Sequence, residues 1–218
     1  MQVHRAESRP RVAGRIRRLL DTLALALLSG MLLRAAQSWP TLPARIPLHF
    51  DAQGLPDGFG PRASFLMLPA IAVALSGLLW LVSAATRAAA SGSGGLLNLP
   101  DKPRFLSLDP AGRMRALEPT RLFLAWTRLL LVALFLWIQE GVREVALGQR
   151  SGLPPWPVAL FVVGLAAGLV PLSAATRAAI RAAAEPEAVP AGPGAGAGAE
   201  PGDRPGGAGP RRPPTDRP

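Results

Sequence analysis

The sequence predicts an all-α integral membrane protein: a four-helix transmembrane bundle with both termini in the cytoplasm, a Pro/Gly-structured outer loop and a disordered C-terminal tail. Three observations carry this prediction. Hydrophobic residues make up 49% of the 218 and charged ones only 17%, and they are segregated into blocks. Four of these blocks approach the roughly 20 residues that a helix needs to cross a bilayer. Arginine and lysine collect in alternate connecting segments, which is the asymmetry that sets orientation under the positive-inside rule.

The N-terminal segment 1–18 carries Arg5, Arg9, Arg11, Arg15, Arg17 and Arg18 against Glu7. The first predicted span, 19–39, is apolar from Thr22 to Leu33, with Asp21 and Arg34 near its ends. It is long enough if Arg34 snorkels outward. A cleaved signal peptide is the rival reading. Arg34 stands where the small cleavage-site residues belong, and no A-x-A-like site is present, which favours a retained span. The second span, 64–85, has no charge; Pro69 predicts a kink, and Ala72, Ser76 and Gly77 allow close helix contact.

A flexible SGSGG at 91–95 interrupts the basic inner loop 86–120, which holds Arg87, Lys102, Arg104, Arg113 and Arg115. Within it, Asp109-Pro110 reads as an N-cap followed by proline at the first position of a short helix. The third span, 121–138, is broken by Arg128. The outer loop 139–155 is nearly neutral, Glu140 and Glu144 balancing Arg143 and Arg150. The fourth span, 156–175, carries Gly164 and Gly168 at the G-x-x-x-G spacing that permits tight helix crossing. Residues 182–218 have a composition that cannot build a core and predict disorder. Every segment agrees on four spans with N-terminus and C-terminus inside, and Trp39, Trp137 and Trp156 fall at the outer interface as an aromatic belt requires.

The outer loop 40–63 is the most punctuated stretch. Pro43, Pro47, Pro56 and Pro61 fix φ and bias the preceding residue to extended backbone, while Gly54, Gly58 and Gly60 supply turning points. Alternation predicts a short extended segment with Ile46, Leu48 and Phe50 turned toward the membrane domain and His49 turned away.

The residues Leu42, Pro43, Ile46, Pro47, His49, Phe50, Gly54, Asp57 and Gly58 form an LP…IP-x-HF…G…DG pattern that resembles a bacterial membrane family carrying a domain of unknown function. The same domain forms the front of the SdpI-type immunity proteins. The resemblance covers about the first third of the chain, with a weaker echo in NLPDKPRFLSL (Asn98, Pro100, Lys102). It implies that the motif follows a first membrane helix on the outer side and precedes a second. It does not by itself assign an activity, since most members of the family have none assigned.

The chemistry open to this chain is narrow. With no Cys there is no disulfide framework, thiol nucleophile or thiolate metal site. His4 and His49 are too few for a histidine-based metal centre. The net charge of +10 is better explained by membrane topology than by nucleic acid, since no nucleic-acid motif accompanies it. His49, Asp51 and Asp57 are the only residues that could gather as weak metal candidates or, through His49, as a pH switch. The alternative is structural, with Asp51 and Asp57 as turn residues, Asp57-Gly58 being a common turn pair. No cofactor is expected. An arginine inside an apolar span is costly; Arg128 is expected either to pair with Asp21 between spans one and three or to snorkel toward inner headgroups and bind an anionic lipid.

The octets SAATRAAA (83–90) and SAATRAAI (173–180) are near-identical. They are read as chance recurrence of Ala-rich helix ends in preference to a duplicated hairpin. With no catalytic triad order, no phosphate loop and no intramembrane carboxylate pair, an enzyme is not expected. The expectation is a bacterial inner-membrane immunity, signalling or envelope-stress component. It would act through its outer loop on an extracellular peptide or another membrane protein, within the lipid bilayer. A small transporter or permease subunit is the alternative.

Overall fold

The computed structural model describes residues 3–92 and 98–184, with side chains from residue 12 onward. Most of SGSGG and of the expected disordered tail therefore lie outside the described residues. The chain runs α1 (Val3–Ser38), β1 (Arg45–Phe50), β2 (Pro56–Pro61), α2 (Met67–Ser91), α3 (Lys102–Ser107), α4 (Pro110–Ala116), α5 (Glu118–Ala146), α6 (Trp156–Leu169) and α7 (Leu172–Ala184). Four helical stretches are long and apolar enough to cross a membrane: Val12–Thr41, Arg62–Ser91, Glu118–Ala146 and Trp156–Ala184. This is the architecture of a multi-pass membrane protein. Each stretch has 29 or 30 residues, and at about 1.5 Å per residue such a helix exceeds a hydrocarbon core of about 30 Å. Both ends therefore reach beyond the apolar slab.

The expected spans are shorter than the helices, because polar ends continue a helix as long as no residue breaks the ladder. Helix α1 stops where Pro40 removes the next donor; a short 3-10 turn, Trp39–Thr41, closes it. Ser38 Oγ donates to the Arg34 carbonyl at 2.7 Å and Thr41 Oγ1 to the Ser38 carbonyl at 2.8 Å. Pro69 does not kink the second span as expected. It lies in the first turn of α2, behind a 3-10 segment Arg62–Leu66, where no intrahelical amide is lost. The fourth span is the one that breaks, at Val170–Pro171, because proline cannot donate to the preceding turn. Its helix then continues to Ala184, so residues 182–184 are helical, against the expected disorder.

Helix α5 is the centre of the bundle and packs on α1, α2, α6 and β1. The G-x-x-x-G pair is used within the chain. A methyl group on Gly164 would lie 3.1 Å from Leu130, and one on Gly168 3.0 Å from Phe123, both on α5. The indole of Trp126 donates to the Gly164 carbonyl at 3.0 Å.

Two small cores close the ends. At one end, Ala35, Leu42, Ile46, Phe65 and Val142 are buried together beneath β1. At the other, α3 and α4 bring Phe105, Leu108, Ala116 and Leu117 against Ala90 and Ile180. These last two are the eighth residues of the two repeated octets, so both octets converge on one apolar cap. Asp109 N-caps α4 as expected, its carboxylate accepting from the Gly112 amide at 2.7 Å.

Candidate functional site

The loop 40–63 folds as an antiparallel β-hairpin, with Arg45 opposite Pro61, Ile46 opposite Gly60, Pro47 opposite Phe59, His49 opposite Gly58 and Phe50 opposite Pro56. An all-α reading missed this sheet because two six-residue strands rich in Pro and Gly carry little strand propensity. The strict alternation expected for Ile46, Leu48 and Phe50 fails. The register slips between Pro47 and His49 and again before Phe50, and an added residue in one strand moves those after it to the other face. Ile46 and Pro47 are both buried, Phe50 is half-buried against the core beneath β1, and Leu48 is exposed. His49 faces solvent as expected.

The hairpin turn is made by Asp51 and Gly54, with Asp57-Gly58 already inside β2. The Asp51 carboxylate accepts from the amides of Gln53 at 2.9 Å and Leu55 at 2.8 Å. Gly54 takes φ +82°, and its carbonyl accepts from the Leu153 amide at 2.8 Å. A methyl group on Gly54 would meet the Leu153 carbonyl oxygen at 1.8 Å, and one on Gly152 the Gly54 carbonyl oxygen at 2.3 Å. The turn is thus clamped between backbone atoms of the loop that joins α5 to α6.

His49 Nδ1 lies 2.5 Å from Asp57 Oδ1, tying the two strands together across their exposed side. Gly58 opposite is required small, since its methyl would approach the His49 Cβ at 2.9 Å. Asp51 is committed to the turn amides, so His49, Asp51 and Asp57 do not converge as a ligand set. Among the described residues no group of three or more His, Cys, Asp or Glu side chains is placed to hold a metal ion. Of the other motif residues, Leu42 is buried in the core beneath β1, and Pro43 is exposed at the approach to the strand.

Asp21 and Arg128 are brought together between α1 and α5 and form a direct ion pair. The pair belongs to a larger network that the sequence reading missed. Arg17 bridges Asp21 at 3.3 Å and Glu118 at 3.1 Å, and Arg121 pairs with Glu118 at 2.9 Å. The four-residue spacing of Arg17 and Asp21 and the three-residue spacing of Glu118 and Arg121 were the available signals.

At the hairpin end, Arg34 does not snorkel alone. It forms a two-pronged contact with Glu140 of α5 at 3.0 and 3.2 Å, and Arg143 joins the same carboxylate at 2.6 Å. The fully buried Gln139 donates to the Met31 carbonyl at 3.0 Å and locks α5 to α1. Trp137 and Trp156 pack with their rings tilted by 54° and 6.4 Å between centres, and the Arg62 guanidinium lies 5.0 Å from the Trp39 ring, all at this end.

Residues 26–73 match the family model described as Domain of unknown function (DUF1648). The matched stretch runs from within α1 through the hairpin into α2, and leaves the Asn98–Lys102 echo outside. Searches of curated proteins and of solved structures return no match. The hairpin, with the helix ends that hold it, is therefore the part of the chain that is similar to the family described as Domain of unknown function (DUF1648).

Proposed function

We propose that this chain is a multi-pass protein of the bacterial cytoplasmic membrane that carries its hairpin outside and acts by presenting it to an extracytoplasmic peptide or to another membrane protein. The reading assigns it no catalysis. Immunity, signalling and envelope stress response are the roles in keeping with it, as the resemblance to the front of the SdpI-type immunity proteins implies.

The observation that carries this reading is the division of labour within the hairpin. Leu42, Ile46 and Pro47 anchor it to the helix ends, whereas Leu48, Leu55 and Phe59 are 48%, 51% and 53% exposed. A small hairpin held at its base and clamped at its turn is pre-organised, which lowers the ordering cost of binding. Large apolar side chains left outside on such a support are characteristic of contact surfaces.

Phe59→Ser tests the reading, because Phe59 is absent from the buried core. The variant is expected to accumulate to the wild-type level and keep its thermal midpoint in detergent. It should nevertheless fail to restore a deletion strain challenged with membrane-active peptides or envelope-targeting antibiotics. Full complementation by Phe59→Ser would overturn the contact role. If, in addition, Asp21→Asn abolished uptake of a solute at normal protein levels, the transporter alternative would replace it.

A further inference from the structure

The network around Asp21 encloses a small polar cavity at the bundle end opposite the hairpin. Its walls include Arg17, Asp21, Arg87, Arg121 and Arg128, with Trp80 among the apolar residues that complete it. Four guanidinium groups therefore meet in one place. The carboxylates within reach are Asp21, which serves Arg17 and Arg128, and Glu118, which serves Arg17 and Arg121. Arg87 is paired with no carboxylate among the described residues. The site carries more positive than negative charge, and unbalanced charge near hydrocarbon is costly.

A second observation points to an occupant. Arg121 is only 6% exposed, and its Nε is buried with no hydrogen-bond partner. A buried guanidinium donor left without an acceptor keeps the full penalty of its lost hydration. The cavity volume is about 30 Å³, enough for about two water molecules or the projecting oxygens of one phosphate.

We propose that these arginines form a phosphate-binding site, occupied by the phosphate of an anionic lipid headgroup, with free inorganic phosphate as the other source of the same chemistry. Guanidinium groups suit this ligand because their donors match phosphate oxygens in pairs. A lipid fits the position: Arg17, Arg87 and Arg121 lie near one end of three candidate membrane spans, Arg128 lies further in along α5, and Trp80, 58% exposed, lines the cavity wall. Two carboxylates inside the cluster hold the arginines in register without cancelling them. The site stands independently of the partner reading of the hairpin.

The repeated octets supply the control. Arg87 and Arg177 occupy the same position of SAATRAA, yet only Arg87 lines the cavity; Arg177 is exposed elsewhere. The full chain, purified in an uncharged detergent and stripped of lipid, is titrated with phosphatidylglycerol, with phosphatidylcholine and with inorganic phosphate. Binding is read by native mass spectrometry and by the thermal midpoint. Phosphatidylglycerol is expected to bind one-to-one and to raise the midpoint more than phosphatidylcholine does. Arg87→Gln should weaken that binding about fivefold to tenfold, given roughly 1 kcal/mol per arginine at an anionic surface. Arg177→Gln should leave it unchanged, and Arg87→Lys should recover part of it. Stabilisation by inorganic phosphate alone, lost in Arg87→Gln, would identify the free ion as occupant and keep the site. Equal binding of phosphatidylglycerol by wild type, Arg87→Gln and Arg177→Gln would overturn the proposal. So would the absence of any binding by wild type.

Discussion

Gly54 concentrates two demands at one residue. Its φ of +82° lies in the left-handed region, and its Cα faces the Leu153 carbonyl so closely that a methyl group would sit 1.8 Å from the oxygen. Gly148 offers the matching half-experiment, with φ +68° and nothing within 4 Å of an added methyl. Gly148→Ala should therefore cost only the backbone conformation, about 1–2 kcal/mol. Gly54→Ala adds a backbone clash that only displacement of the loop at 152–153 can relieve. It is expected to lower the thermal midpoint clearly more than Gly148→Ala, measured side by side in the same detergent. Equal losses would mean that the clamp between the hairpin turn and the loop joining α5 to α6 contributes nothing.

At this scale the sequence was legible in kind but not in register. Gly54 and Asp51 read as turn chemistry, yet Asp57-Gly58, a common turn pair in sequence, lies in a strand. The difference arises because Asp51, by accepting two turn amides, closes the hairpin earlier. Leu48 was expected inside because a one-residue slip in pairing cannot be read from alternation alone.

At the scale of elements, the helices were legible because apolar length is a strong signal, and their ends were not because nothing apolar marks where a polar helix end stops. The contact between α1 and α5 is one of the two expectations for Arg128, pairing with Asp21 or snorkelling to the headgroups, and the structure has the pair. The remaining links, Gln139 to Met31 and Glu140 to Arg34, involve a backbone acceptor or a charge that looked like part of a balanced loop.

Asp21 and Arg128 should be energetically coupled, and unequally so. Arg128→Leu leaves Asp21 with Arg17, whereas Asp21→Asn leaves Arg128 without its carboxylate. Asp21→Asn is therefore expected to be the more damaging single change. In a double-mutant cycle on unfolding in detergent, the double mutant should recover part of the loss, with a coupling of roughly 0.5–3 kcal/mol. Strict additivity would show that the contact stabilises neither helix.

At the scale of the molecule, charge divides the two ends. Around the hairpin, Arg34, Arg45, Arg62, Arg143 and Arg150 stand against Asp51, Asp57, Glu140 and Glu144, and three of these arginines are in ion pairs there. The opposite end gathers Arg15, Arg17, Arg18, Arg87, Arg104, Arg113, Arg115, Arg121, Arg128, Arg177 and Arg181 against Asp21, Asp101, Asp109 and Glu118. Arginine-rich ends are retained on the cytoplasmic side during insertion, so the near-neutral hairpin end should be outside. Because the chain has no cysteine, single cysteines report their side without background. Cysteines at Gln53 and Gln149, one in each outer loop, are expected to react with an impermeant maleimide in intact cells. Those at Gly94 and Gly198 should react only after the membrane is permeabilised. Labelling of position 94 in intact cells, with position 53 protected, would invert the topology and remove the outside presentation on which recognition by the hairpin depends.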